Sequence, residues 1–147
     1  MAEKPIVMAR KGRAIRESSK MTGLFRGMKE DKNGMPLIGE SSRSLGVRPG
    51  LDVPATQPSD QVGPGQGGMS VSPDDPRSLP YFRRPPALGG TSKDPVWRIL
   101  ETDLGTDLQY RPDPARPGHG FVEPNWPMTL AEYQRALART QHKWQKI

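Results

Sequence analysis

The 147-residue chain is short enough that we expect one domain, because a second independent core needs more residues. It has 16 glycines, 17 prolines, a formal net charge of +6, two histidines and no cysteine, so disulfides and thiolate metal sites are excluded and no metal site is expected. No stretch has the length and hydropathy of a membrane span or a signal peptide. We therefore expect a cytoplasmic protein without a membrane partner, and any export would use machinery that reads no cleaved leader.

The positive charge is concentrated at the two ends of the chain. Residues 1–20 hold six lysines and arginines against two glutamates, without helical or strand periodicity. Because such a cluster repels itself in a compact state, we predict a basic N-terminal arm over residues 1–20 and a folded domain over 21–147. The C-terminal segment from Glu132 onward is also basic.

The first half of the domain has few regular elements. The segment MTGLFRGM, residues 21–28, predicts a first strand with Leu24 and Arg26 on one side. Residues 39–68 are rich in Ser, Pro, Gly and Gln and predict a long wrapped loop. The segment GGMSVSP, residues 67–73, predicts a short strand, and the prolines of residues 74–90 exclude a central strand there.

The second half is more regular. Residues 94–100, 107–113 and 119–125 are short segments rich in β-branched and aromatic residues, and they predict three strands. Thr129 and Glu132 form a capping-box pattern that predicts a helix start, with an apolar face continuing through Trp144. Several short strands, long loops and one terminal amphipathic helix indicate an α+β domain, and they argue against alternating β and α units.

Three segments carry candidate binding chemistry. Gly68 precedes a strand on which Ser70 and Ser72 share one face, so the Gly68 backbone and the two hydroxyls can approach a ligand. The alternative is a turn followed by an edge strand whose hydroxyls are solvated. Arg26 projects from the first strand and can hold a phosphate or carboxylate, although most such arginines are surface residues.

The third segment is HGFVEP, residues 119–124. His119 and Glu123 lie four residues apart on a predicted strand and therefore face the same way. Such a pair can share acid–base work or hold a ribose hydroxyl. The alternative is an exposed histidine and a glutamate at the end of a strand.

In this order, these segments resemble the type VI secretion exported toxins with an ADP-ribosyltransferase-like fold, of the Tse-two type. The resemblance covers residues 21–147 and is carried by LFR at 24–26, RPGLDV at 48–53, GGMSVS at 67–72, HGFVEP at 119–124, PM at 127–128 and the helix through Trp144.

The resemblance implies an α+β domain whose split, mainly antiparallel sheet surrounds an NAD-binding cleft. Arg26 would grip the phosphates or the nicotinamide ribose, Ser70 and Ser72 would form the pocket wall with the Gly68 backbone, and Glu123 would stabilise an oxocarbenium-like ribosyl centre. His119 would be a further polar group in the cleft.

The resemblance further implies an intracellular-acting bacterial toxin with an unknown macromolecular target, exported by a contact-dependent secretion system. It implies an acidic immunity protein in the producing cell. NAD would be the substrate of an ADP-ribosyltransferase or an NAD glycohydrolase, and the sequence leaves open which.

Two other classes of protein remain open. The basic ends and scattered aromatic residues also suit an RNA-binding protein without catalysis, although no known RNA-binding motif can be placed. A non-catalytic adaptor of a larger assembly, whose proline-rich loops order on binding, is the other alternative.

Overall fold

The computed structural model describes residues 22–147, and the predicted basic arm of residues 1–20 lies outside them. Within the described residues the chain forms eight strands and one α-helix. The strands are β1 (Gly23–Gly27), β2 (Gln61–Val62), β3 (Met69–Pro73), β4 (Val96–Leu100), β5 (Leu108–Pro112), β6 (Gly120–Pro124), β7 (Met128–Thr129) and β8 (Gln145–Lys146), and the helix is α1 (Leu130–Ala138). Short 3-10 helices cover Pro76–Ser78, Tyr81–Arg83, Pro86–Leu88, Glu101–Leu104 and Gln141–Lys143.

Six strands form one sheet in the order β5-β6-β3-β1-β4-β8, and every neighbouring pair is antiparallel. Strands β2 and β7 form a separate two-stranded antiparallel pair. The predicted α+β class, with a mainly antiparallel sheet and a helix near the C-terminus, is confirmed. Five of the predicted strands correspond to β1, β3, β4, β5 and β6.

The hydrophobic core lies between α1 and one face of the sheet. Tyr133 and Leu137 of α1 are completely buried, in one cluster with Leu24 of β1, Val71 of β3 and Val122 of β6. The helix begins as predicted: Thr129 Oγ1 accepts from the Glu132 amide at 3.1 Å, and Glu132 Oε1 accepts from the Thr129 amide at 2.8 Å. This capping box satisfies donors that the first helical turn leaves unpaired.

The sheet opens between β1 and β3. The two strands pair only at Leu24 with Pro73 and at Phe25 with Ser72. The first half of β3 pairs with β6 instead, while β1 continues along β4. A gap therefore separates the end of β1 from the start of β3, and loop residues of the first half of the chain reach it.

The predicted extent of the helix is wrong, because α1 ends at Ala138 rather than continuing through Trp144. Thr140 Oγ1 donates to the Leu137 carbonyl at 2.7 Å and accepts from Trp144 Nε1 at 3.0 Å, so the chain turns while the indole stays buried. The last residues then form β8 along β4, where they cover a sheet edge that would otherwise expose unpaired backbone groups.

We predict that Tyr133→Phe lowers the free energy of unfolding by about 1–3 kcal/mol. The buried Tyr133 hydroxyl donates to the Val122 carbonyl and accepts from the Met69 amide at 3.1 Å, so its removal leaves two backbone groups without their partner. Chemical denaturation measures the change. Tyr110→Phe is the control, because the partly buried Tyr110 hydroxyl makes no hydrogen bond within residues 22–147; equal effects of the two substitutions would contradict this interpretation.

Candidate functional site

A cleft opens where β1 and β3 part, with a volume of about 160 Å³. We call it the β1–β3 cleft. Residues 79–83 form one wall, loop residues 42–52 form another, and β3 lies between them. Its charged and polar lining residues are Arg26, Ser42, Arg48, Asp52, Ser70, Ser72, Arg83, Arg116 and His119.

Positive charge predominates in the β1–β3 cleft, because four arginines of the described chain line it and Asp52 is the one carboxylate that residues 22–147 contribute to its lining. Asp52 is paired with Arg48, whose Nη2 lies 2.8 Å from Asp52 Oδ1. Arg83 donates to Ser42 Oγ at 2.8 Å, and burial followed by repulsion from Arg48 lowers the pKa of Arg83. Arg116 is exposed, and its guanidinium makes no hydrogen bond or ion pair within the described residues. This excess of guanidinium groups favours an anionic ligand.

Arg26 lies beneath the cleft and connects its walls. Its Nε and Nη2 donate to the Ser44 carbonyl at 3.1 and 2.8 Å, and its Nη1 donates to the Ser70 carbonyl at 2.8 Å. A weaker contact joins Nη2 to the Ser41 carbonyl at 3.4 Å. Burial lowers the pKa of Arg26 to about 10, which still leaves the guanidinium charged at neutral pH. Most of its donors are thus directed at backbone carbonyls, so Arg26 supports the cleft and adds positive charge to it.

Ser70, Ser72 and His119 come together in the cleft. Alternation along β3 places both hydroxyls on the face opposite the buried Met69 and Val71. Neither hydroxyl makes a hydrogen bond within the described chain, but Ser72 is only 2% exposed, so Ser70 is the more accessible of the two to a ligand. Ser70 is opposite Phe121 of β6, and His119, two residues before Phe121, follows on the same face.

Glu123 is not in the cleft lining, and its carboxylate already has three donors. It accepts from the Gly65 amide at 2.9 Å, from Gln109 Nε2 at 2.8 Å and from Arg111 Nε at 2.8 Å, and it is completely buried. The expected convergence of Glu123 with Arg26 and the serines is therefore not present. His119 also has a different carboxylate partner, Asp113, at 2.8 Å.

Gly68 is not in the cleft lining either, and the glycine pair meets backbone rather than open space. A Cβ at Gly67 would lie 2.3 Å from the Asp52 carbonyl oxygen, and one at Gly68 would lie 2.7 Å from the Val122 carbonyl oxygen. Both glycines have positive φ, 98° and 147°. The pair therefore lets the chain enter β3 against these two carbonyls.

The sequence patterns did not identify four residues of the site: Arg48, Arg83, Arg116 and Asp113. All four lie outside the strands and the helix, in segments rich in proline and glycine that have no periodicity from which a facing direction follows. Composition was the one sequence feature that could have pointed to two of them, because Arg83 and Arg116 lie in the basic, proline-rich stretches FRRPP and PARPG.

Comparison with known proteins gave no match to a family model, a curated protein or a solved structure. Over residues 22–147, no helix is long and apolar enough to cross a membrane. In the same part of the chain, no group of three or more His, Asp or Glu side chains is arranged to hold a metal ion.

We predict that Arg26→Met lowers the free energy of unfolding by about 3 kcal/mol, because the buried carbonyls of Ser44 and Ser70 lose a charged donor. Thermal or chemical denaturation measures the change. Arg77→Met is the control: the side chain of Arg77 is exposed, and within residues 22–147 its guanidinium makes only a 3.9 Å contact to Asp75, so we expect a change below about 0.5 kcal/mol. A stable Arg26→Met protein would show that Arg26 does not hold the two walls together.

Proposed function

We propose that the protein binds a phosphate-bearing nucleotide in the β1–β3 cleft and acts as a toxin of the ADP-ribosyltransferase-like type, with NAD as the candidate ligand. One observation carries the proposal: among residues 22–147, four guanidinium groups and the side chains of Ser70 and Ser72 line the cleft, and the one carboxylate there is already paired. Phosphate oxygens are the ligands that such a cluster of donors accommodates best.

The volume of the cleft limits what it encloses. Small-molecule pockets commonly measure about 300–1,000 Å³, and the β1–β3 cleft, at about 160 Å³, is smaller. It suits one phosphate with its ribose rather than a whole dinucleotide. The rest of the ligand would lie along the rim, where Phe82 and Tyr81 expose 53% and 61% of their surface and can stack on a planar ring.

The geometry of the cleft supports ligand binding more strongly than it supports catalysis by Glu123. Stabilising a ribosyl cation needs a carboxylate directed at the anomeric carbon. Glu123 has hydrogen bonds from three groups and no exposure, so this role would require the Gly65 segment, Gln109 or Arg111 to release it. We therefore assign ligand recognition to the β1–β3 cleft. The proposal does not include the reaction of NAD, whether transfer or hydrolysis.

The toxin proposal includes an acidic immunity protein as a binding partner. Arg135, Arg139 and Lys143 are exposed along α1 and the turn after it, and Arg139 is partly neutralised by Asp107 at 2.7 Å. Complementary charge would speed association with an acidic partner. The macromolecular target and the contact-dependent export route belong to the same proposal and rest on the family resemblance alone.

RNA is the second candidate ligand, and the rim of the cleft favours it. Tyr81 and Phe82 stand edge to face with ring centroids 5.8 Å apart, and the Arg83 guanidinium lies 5.2 Å from the centre of the Phe82 ring. Exposed aromatic rings beside arginines suit single-stranded nucleic acid. RNA binding would weaken steeply as salt increases, and it would extend over more basic residues than those in the cleft.

We predict that Arg83→Met and Arg116→Met each weaken NAD binding about tenfold, because each removes a charged donor to phosphate. Isothermal titration calorimetry measures the dissociation constant. Arg77→Met, which removes an equal charge outside the cleft lining, should leave affinity unchanged.

Inducible expression in a bacterium tests the toxin part of the proposal with the same variants. The wild type and Arg77→Met should arrest growth, whereas Arg83→Met and Arg116→Met should relieve the arrest at equal expression. Absence of NAD binding at millimolar concentration would contradict the proposal that NAD is the ligand. Growth arrest by all four proteins would show that toxicity does not depend on the arginines of the cleft.

A further inference from the structure

His119 makes a close contact with Asp113 at the edge of the β1–β3 cleft. His119 Nδ1 lies 2.8 Å from Asp113 Oδ2, and the two side chains are 12% and 17% exposed. The imidazole also packs edge-on against Phe121, with ring centroids 4.9 Å apart. The ring is therefore held from two directions.

Asp113 is itself fixed by the turn between β5 and β6. Its Oδ1 accepts from the Ala115 amide at 2.9 Å, its own amide donates to the His119 carbonyl at 3.0 Å, and its carbonyl accepts from the Arg116 amide at 3.3 Å. The Ala115 hydrogen bond, followed by that with His119, lowers the pKa of Asp113. The carboxylate is thus ionised at neutral pH and can only accept hydrogen bonds.

An ionised acceptor at Nδ1 determines which ring nitrogen carries the proton. Nδ1 must donate to Asp113, so Nε2 of the neutral imidazole keeps its lone pair. Nε2 has no hydrogen bond within the described residues. It is not a buried atom either, so it is open to solvent. His119 lines the cleft.

We propose that Asp113 is a positioning residue that fixes the Nδ1–H tautomer of His119, so that Nε2 accepts a hydrogen bond from a hydroxyl group of the ligand in the β1–β3 cleft. This inference rests on the proposed function and makes the ligand more specific. The arginines select an anion, but an anionic oxygen has no proton to give to a neutral Nε2. A ligand that meets both requirements combines an anionic group such as phosphate with a hydroxyl donor, as a ribose phosphate does.

Nitrogen-15 NMR of the imidazoles tests the tautomer without any ligand. The chain has two histidines, so His142, which is exposed, is an internal reference. In the wild type above neutral pH, the proton of His119 should be on Nδ1. In Asp113→Asn the new amide can donate to Nδ1, so the proton should move to Nε2. Asp107→Asn, which removes a carboxylate that contacts Arg139, is the control and should leave His119 unchanged.

A wild-type His119 with its proton on Nε2 would overturn the inference, and this result does not depend on whether Asp113→Asn folds. So would an Asp113→Asn protein that is folded but retains the wild-type tautomer.

Titration with two probes tests the hydroxyl contact. Asp113→Asn should weaken binding of ribose 5-phosphate about tenfold, because Nε2–H can no longer accept from a hydroxyl, and should not weaken binding of inorganic sulfate, which has no proton to donate at neutral pH. Equal losses for both probes would mean that Asp113 only holds the turn together, and would overturn the proposal. If neither probe nor NAD binds the wild type, the proposed function and the hydroxyl contact both fail, while the NMR result still decides the tautomer.

Discussion

The site depends on the hydrogen bonds that the buried guanidinium of Arg26 donates to two backbone carbonyls. The guanidinium lies where β1 leaves β3, and it donates to the Ser70 carbonyl on one side and to the Ser44 carbonyl on the other. These bonds replace the ladder that β1 and β3 would otherwise share, so the gap remains open without orphaned carbonyls. The bidentate contact of Arg43 with Asp94, at 2.6 and 2.7 Å, holds the same loop from the opposite side.

The cleft combines groups from regular and irregular parts of the chain. β3 supplies hydroxyls whose direction follows from strand alternation, whereas loops supply Arg48, Arg83 and Arg116. The small cluster of Phe25, Leu79 and Val96 anchors the segment that carries Arg83 to the outer face of the sheet. A rigid sheet thus fixes the position of the hydroxyls, while loop geometry sets how much positive charge surrounds them. This division supports recognition of an anion more strongly than it supports a particular reaction.

Much of the fold could be predicted because it depends on local signals. Short segments of strand-forming residues bounded by glycine or proline predicted β3 and β6, and the capping box at Thr129 predicted where α1 begins. The end of α1 could not be predicted, since it depends on burial of Trp144 and on the open edge of β4. The site was likewise predictable only in part. Alternation put Ser70 and Ser72 on one face of β3, and His119 and Glu123 on one face of β6, but it could not show that Glu123 meets donors from β5 and from a distant loop.

Amide NMR during titration with NAD tests the central claim most directly, because it locates the ligand without assuming a reaction. Binding in the β1–β3 cleft predicts that the largest shifts fall at residues 70–72, at Arg83, at Arg116 and at His119. Shifts confined to the surface around Trp126 and Arg135, or no shifts at all at millimolar NAD, would contradict it.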